Sequence, residues 1–165
     1  MYIQGKFKAF QDDLTDVYEI RRKVFIQEQG VPEQEEYDEY DKSAIFCVVY
    51  EPKNESEENN NNDLISVATG RLVLLEDGRY KIGRIAVLKE YRGKQYGDMV
   101  VKMLVNKAFM SGATKVYVGA QIRAKGFYQT IGFEEYGNSY MESGIEHIGM
   151  VLEKDKLCTK CNHSK

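Results

Sequence analysis

Lys81-Ile82-Gly83-Arg84-Ile85-Ala86-Val87-Leu88-Lys89-Glu90-Tyr91-Arg92-Gly93-Lys94-Gln95-Tyr96-Gly97 runs from a short apolar stretch through a glycine-containing turn into a segment with helical periodicity. Ile85, Ala86, Val87 and Leu88, bounded by charge, predict a strand buried on both faces or nearly so. Residues 98–110 carry Met99, Val100, Met103, Leu104 and Ala108 at helical spacing, with Lys102, Asn106 and Lys107 on the other side. The turn at 92–97 therefore presents unpaired backbone N–H groups at a helix N-terminus, where those donors and the helix dipole favour a phosphate. Gly93 and Gly97 let the backbone come close, and Arg92 and Lys94 add charge. The spacing is neither Walker A, which ends in Gly-Lys-Ser/Thr, nor the dinucleotide fingerprint; taken alone it also fits an ordinary helix start.

Downstream, Lys115-Val116-Tyr117-Val118-Gly119-Ala120 predicts a second buried strand, followed by a short helix over residues 121–130 and then Ile131-Gly132-Phe133. Together the two stretches resemble the GNAT superfamily of N-acetyltransferases. In that family Arg/Gln-x-x-Gly-x-Gly/Ala binds the coenzyme A pyrophosphate, and Phe-Tyr-x-x-x-Gly-Phe follows about a helix later. Phe127-Tyr128-Gln129-Thr130-Ile131-Gly132-Phe133 matches the second motif throughout. Residues 92–97 depart from the first at Gln95, where the family has a glycine; a side chain is tolerable there if it points away and the loop donates through its backbone. The resemblance spans about residues 1–154 and is nearest to small bacterial members that share Val24-Phe25-Ile26-Gln27-Glu28-Gln29 and Gly144-Ile145-Glu146-His147-Ile148.

The resemblance implies an α/β (α+β) fold: a mixed, mostly antiparallel sheet of about six to seven strands, flanked by helices, with a splayed central parallel pair. It implies a single N-acetyltransferase domain at 1–154, with a flexible loop at 52–63 inside it and a polar tail at 155–165. Acetyl-CoA is the expected cosubstrate, with no metal. The strand bearing Ile85, Ala86 and Val87 pairs in the family with the pantetheine arm, and Arg92, Gly93, Lys94, Gln95, Tyr96 and Gly97 form the phosphate loop. Gln121 is placed to bond the pantetheine amide or the acceptor, and Lys125 to reach the ribose phosphate or to stand as a plain surface lysine. The acceptor is a primary amine of a small molecule or peptide, and a homodimer is possible.

Acetyl transfer from a thioester to an amine requires a neutral amine, stabilisation of an oxyanion and a proton for the departing thiolate. An alkylammonium has a pKa of about 10.4, so near neutrality a base or a water must take one proton. A backbone N–H of the strand bearing Ile85, Ala86 and Val87, where that strand splays from its neighbour, suits the oxyanion, and Ile85 and Val87 are assigned to the cofactor through their main chains. Tyr128, the tyrosine of the second motif, is the expected acid toward the thiolate; the alternative is a core tyrosine with a satisfied hydroxyl. Glu28 and His147 are the candidate bases: Glu28 because partial burial raises a carboxylate, His147 in a closing strand where a structural role is the alternative. A water chain replaces both in a third reading. A coenzyme A binding protein without turnover and a protein-lysine acetyltransferase are the alternatives to a small-amine enzyme.

At 165 residues the chain is one domain by size, and its 42% hydrophobic and 30% charged content is ordinary for a globular protein. A net charge of -3 without a basic stripe argues against nucleic acid as a partner. No apolar run reaches the roughly 20 residues of a membrane span, and the start resembles no signal peptide, so a cytoplasmic address without membrane partners is expected. Of three cysteines, Cys47 lies in an apolar run, while Cys158 and Cys161, with His163, read either as free thiols in a disordered tail or as half a zinc site lacking its second pair.

In chain order, residues 2–10 predict an opening strand, and a helix capped by Asp12 or Asp13 runs to about Gln29, stopped by Gly30 and Pro32. The acidic block at 28–41 is either a solvated loop or short helix, or an acceptor mouth that steers a cationic amine. Residues 43–51 and 64–75 predict strands, which the resemblance implies are neighbours, with Gly70-Arg71 resembling the family's Gly-Arg strand that faces the cofactor strand; Asp77-Gly78 then makes a hairpin turn. Residues 134–140 and 145–153 close the sheet, and 154–165 predicts an unpacked tail.

Overall fold

The apolar run at the centre of the sequence forms a strand, and the rest of one sheet is laid out on either side of it. The computed structural model describes residues 2–53 and 63–160. The strands are β1 (Gln4–Ala9), β2 (Ile45–Pro52), β3 (Leu64–Leu74), β4 (Tyr80–Val87), β5 (Lys115–Gln121), β6 (Glu134–Glu142) and β7 (Ile145–Glu153). The helices are α1 (Thr15–Arg21), α2 (Glu33–Glu36), α3 (Tyr96–Met110), α4 (Lys125–Ile131) and α5 (Lys154–Lys160). The seven strands form one sheet in the order β1-β2-β3-β4-β5-β7-β6. All neighbours are antiparallel except the central pair β4 and β5, which is the mixed sheet the sequence predicts.

Alternation along the strands divides the core between the two faces. Cys47 and Val49 of β2 join Ile82, Val100, Leu104 and Tyr128 under α3 and α4. Phe46 and Val48 join Val17, Ile20, Val73 and Ala86 under α1. Helix α3 begins two residues before its predicted start, because Tyr96 is itself buried and its hydroxyl bonds Glu51. The N-cap of α1 is Leu14 rather than Asp12 or Asp13; Asp13, one residue before it, accepts from the N–H of Thr15 at 2.9 Å.

The first helix is not the uniform α-helix predicted. After Arg21 it widens into a π-helical turn, Arg22–Glu28, in which the N–H of Gln29 reaches back to the carbonyl of Val24 at 3.1 Å. The extra residue in the turn rotates the end of the helix, so that Val24, Phe25 and Gln29 all face one cavity. Gly30, at φ 72°, and Pro32 then end it as expected.

The central parallel pair is short. Only Tyr80, Lys81 and Ile82 of β4 pair with β5, opposite Val116, Tyr117 and Val118. Beyond Ile82, β4 continues to Val87 and β5 to Gln121 without pairing, so the sheet is splayed at its centre.

The tail is a correction. Residues 154–160 form α5, because Leu157 packs against the core, the N–H of Lys154 bonds the carbonyl of Thr114 at 3.0 Å, and Lys156 pairs with Glu134. Most of the predicted flexible loop, at 54–62, lies outside the described residues, as do Cys161 and His163. No described helix is long and apolar enough to cross a membrane.

Candidate active site

The turn between β4 and α3 is fixed by backbone conformation. Gly93 sits at φ 80° and Gln95 at φ 65°, both left-handed. A side chain at Gln95 is therefore strained, which accounts for a glycine being the preferred residue there. Tyr96 anchors the turn from below; burial and the bond to Glu51 push its hydroxyl up to about 12. The first helical bond is Met99 N–H to Gln95 carbonyl at 3.1 Å, and the N–H groups of residues 93–98 donate to nothing among the described residues. That is a row of free donors at the positive end of a fifteen-residue helix.

The cations of the turn behave differently from the sequence expectation. Arg92 lines the cavity but makes a two-pronged pair with Glu28, at 2.7 and 2.8 Å, and its Nε donates to the carbonyl of Val87 at 3.1 Å. Lys94 turns to Glu51 at 3.7 Å and Lys125 to Glu135 at 3.2 Å, and neither lines the cavity. A carboxylate within reach on a neighbouring element pairs each of these long side chains, so the unpaired donors of the turn are main-chain N–H groups.

The splay opens a second row of main-chain groups. The N–H of Leu88 donates to the carbonyl of Val67 at 2.9 Å. By alternation Ala86 also faces β3, whereas Ile85 and Val87 turn their N–H groups to the gap. Of the three residues expected to meet the cofactor there, Ala86 is therefore not a main-chain donor; its side chain packs in the α1 core. Turn and splay border one cavity of about 1130 Å³. It is lined on the α3 side by Gln95, Phe127 and Tyr128, and on the α1 side by Glu35, Tyr40, Ile145 and His147, so it passes through the sheet.

Tyr128 stands on the wall of this cavity, 6% exposed, with its ring edge-on to Phe127 and Phe133 at 5.0 and 5.6 Å. Burial raises its pKa well above the ordinary phenol value, and its hydroxyl has no hydrogen-bond partner among the described residues. It is a neutral, unengaged O–H donor. Gln121, also on the wall, donates to Gln29 at 2.9 Å and accepts from Arg123 at 3.1 Å.

The two candidate bases separate. His147 is 9% exposed, and its Nδ1 lies 2.7 Å from the carbonyl of Ile145. A carbonyl only accepts, so Nδ1 carries the proton and Nε2 of the neutral ring bears the lone pair. Nε2 is 3.9 Å from Glu142. Glu28 runs opposite to expectation: the hydrogen bonds from Arg92 outweigh burial and hold its carboxyl below the ordinary range, which makes it a poor proton acceptor.

Beneath the α1 side lies a buried ionic network that sequence reasoning missed. Arg21, 0% exposed, donates from Nε to Glu36 at 2.7 Å, from Nη1 to Asp41 at 2.9 Å and from Nη2 to the Glu36 carbonyl at 2.7 Å. Arg71 bridges Asp38 and Asp41 at 2.6 and 2.7 Å, and Arg84 reaches Glu36 and Asp38 at 3.3 Å. Burial still raises the Glu36 carboxyl, because removing it from water outweighs the attraction of Arg84 and Arg21. Three arginines thus neutralise three carboxylates of the acidic block, so Glu36 and Asp41 are buried rather than solvated, while Glu35, Glu36 and Asp38 border the cavity. The available signal was an arginine, Arg71, in the middle of an apolar strand run.

Comparison with known proteins agrees with this geometry. A family model described as an acetyltransferase (GNAT) domain matches residues 26–154. The uncharacterised N-acetyltransferase YjcF of Bacillus subtilis is 31% identical over 144 residues, covering 87% of this chain and 94% of the relative. The uncharacterised protein YyaT of the same organism is 34% identical over 150 residues, covering 89% and 93%. The crystal structure of Escherichia coli ElaA aligns with a TM-score of 0.75 at 27% identity, covering 92% of this chain and all (100%) of that one. An acyl-CoA N-acyltransferase from Pseudomonas aeruginosa shares the fold with a TM-score of 0.76 at 24% identity, covering 91% and 99%.

Proposed function

We propose that this chain, which belongs to the GNAT family of acetyltransferases, moves an acetyl group from acetyl-CoA to a primary amine of a small molecule or peptide, by direct attack with both substrates bound. The observation that carries the reading is the unpaired main chain along one cavity: the N–H groups of residues 93–98 at the head of α3 and the open edge of β4 at Ile85 and Val87. The first set suits the pyrophosphate, because backbone donors and the helix dipole meet its charge without a cation. The second suits an amide-bearing arm lying as an extra strand beside β4, with a remaining N–H for the thioester oxygen.

Acetyl-CoA supplies the activated acyl group; the protein orients it and moves protons. His147 Nε2 takes a proton from the incoming ammonium, with Nδ1 held by the Ile145 carbonyl so that the lone pair faces the cavity wall. Tyr128, neutral and without a partner among the described residues, donates to the leaving sulfur, and the second proton, lost by the nitrogen as the amide forms, restores the phenol. Glu28 positions Arg92, and through it the carbonyl of Val87, rather than moving a proton. Glu35 and Glu142 at the mouth favour a cationic acceptor.

Isothermal titration with acetyl-CoA, beside a thiol-release assay over a panel of amines, tests this. Binding with release on some amine is expected. Binding without release on any amine would leave a coenzyme A binding protein, and no binding would overturn the reading.

A further inference from the structure

On the α1 side of the cavity one cation stands apart from the rest. Among the cations on the wall, Arg71, Arg84, Arg92 and Lys102 face carboxylates, and Arg123 donates to Gln121. Lys81 makes no ion pair or hydrogen bond with any described residue. It stands in the last paired stretch of β4, opposite Tyr117, immediately before the sheet splays.

The ground in front of it is cleared by two glycines. Gly119 of β5 pairs directly with Gly149 of β7, leaving a groove across both strands on this face. Two tyrosines of the edge strand β6 lie in that groove. A Cβ on Gly149 would collide with the ring of Tyr136, at 2.8 Å, and one on Gly119 would collide with the Tyr140 hydroxyl and lie 3.9 Å from Lys81 Nζ. An ammonium and a phenol hydroxyl thus converge over a residue with no side chain, and the Tyr140 hydroxyl also has no partner among the described residues. Burial and the nearby Glu142 and Tyr136 keep that phenol protonated and a donor. The Tyr140 ring in turn stacks on His147, centroids 5.7 Å apart at 20°.

We infer that the acceptor amine also carries a carboxylate, bound by Lys81 Nζ and Tyr140 Oη over Gly119, which brings its amino group to the same wall as His147. This rests on the transferase reading above. Ammonium and hydroxyl donors are complementary to a carboxylate, and the mouth carboxylates Glu35 and Glu142 are complementary to the amino end of the same molecule. Free amino acids and peptides with an acidic side chain near the amine share this chemistry.

The test is kcat/KM by thiol release for matched pairs of increasing spacing: glycine and glycinamide, β-alanine and its amide, 4-aminobutyrate and its amide, and peptides with acidic or neutral residues beside the amine. The free acid of the best-fitting pair is expected to exceed its amide by about tenfold or more, the discrimination of a charge-assisted contact. Lys81→Met should bring that ratio to about one through KM, and Tyr140→Phe should lower it by a smaller factor, with the affinity for acetyl-CoA unchanged. Selectivity confined to peptides identifies the acidic peptide as the source. Amides used as well as acids, or a preference that survives Lys81→Met, would overturn the inference while leaving the transferase reading intact. Titration of the same pairs into the coenzyme A complex by NMR gives a readout independent of turnover, and equal binding of acid and amide there overturns it as well. Failure to bind acetyl-CoA at all would overturn both.

Discussion

Replacing Arg21 by methionine tests the buried network most directly. The guanidinium is fully buried and holds Glu36 and Asp41 through three hydrogen-bonding nitrogens at 2.7–2.9 Å, all of which the apolar side chain loses. Removing one partner of a buried ion pair costs about 3–5 kcal/mol, because the remaining carboxylate stays out of water without compensation. Asp41 keeps Arg71 at 2.7 Å and Glu36 keeps Arg84 at 3.3 Å, which favours the lower end of that range. At roughly 2–4 °C per kcal/mol for a chain of this length, a cost of about 3 kcal/mol lowers Tm by about 6–12 °C.

The loss should also depend on pH in a defined direction. Burial already raises the Glu36 carboxyl, and without Arg21 it rises further. A carboxyl whose pKa is higher in the folded than in the unfolded state weakens the fold as pH climbs from the unfolded to the folded value, so the deficit of the variant should shrink on acidification from neutrality. Urea and thermal unfolding followed by circular dichroism at pH 7 and pH 5 measure both effects. Adding Glu36→Gln and Asp41→Asn to Arg21→Met should recover part of the loss by discharging the stranded groups. A loss below about 1 kcal/mol at neutral pH, or one that grows on acidification, would refute the argument that these charges depend on one another in a dry interior.

Tyr128→Phe should cut turnover by about 10²–10⁴-fold, the range for loss of a general acid, while leaving acetyl-CoA affinity within about twofold; steady-state kinetics and calorimetric titration separate the two. His147→Gln should lower kcat/KM by about 10²-fold, whereas Glu28→Gln, which removes a clamp on Arg92 and no base, should leave kcat within a few-fold and act mainly on KM for acetyl-CoA. The Glu28 pair should stabilise the fold at neutral pH and lose its contribution as pH falls through the depressed pKa of that carboxyl, so the Tm of wild type and Glu28→Gln converge in acid. Gln95→Gly relieves a side chain at φ 65° and should raise stability by about 0.5–1 kcal/mol, read as a higher urea midpoint, with Gln95→Val moving it the other way.

How far the structure is legible in the sequence depends on the range of the interactions. The strand at Ile85–Val87, the amphipathic α3 and the Phe127-Tyr128 helix are specified by neighbours within a few positions; α3 forms within two residues of its predicted start, whereas β4 begins at Tyr80, ahead of the apolar run, and α4 at Lys125 rather than 121. The turn with its row of unpaired N–H groups is legible for the same reason, since those donors belong to a helix start. The ionic network is not, because its bonds join residues 15 to 48 positions apart and a lone arginine on a helix reads as a solvated face. The depressed Glu28 carboxyl depends on Arg92, 64 positions away, and cannot be separated by local pattern from the raised carboxyl that burial alone would give. The π-helical turn, closed by the Gln29 N–H on the Val24 carbonyl, leaves no mark in the apolar periodicity, and α5 hangs on Leu157 and two polar contacts that composition averages away.

The gap between β4 and β5 separates two recognition problems that most enzymes solve in one pocket. Under the proposed reading, donor contacts gather on the α3 side and acceptor contacts on the α1 side, with Tyr128 and His147 both on the wall of the one cavity. On that reading the two substrates are recognised by different elements of the fold. Substitutions along α2 or the β6–β7 turn can exchange one acceptor for another without retuning the donor, and an inhibitor spanning the passage gains from both sides at once.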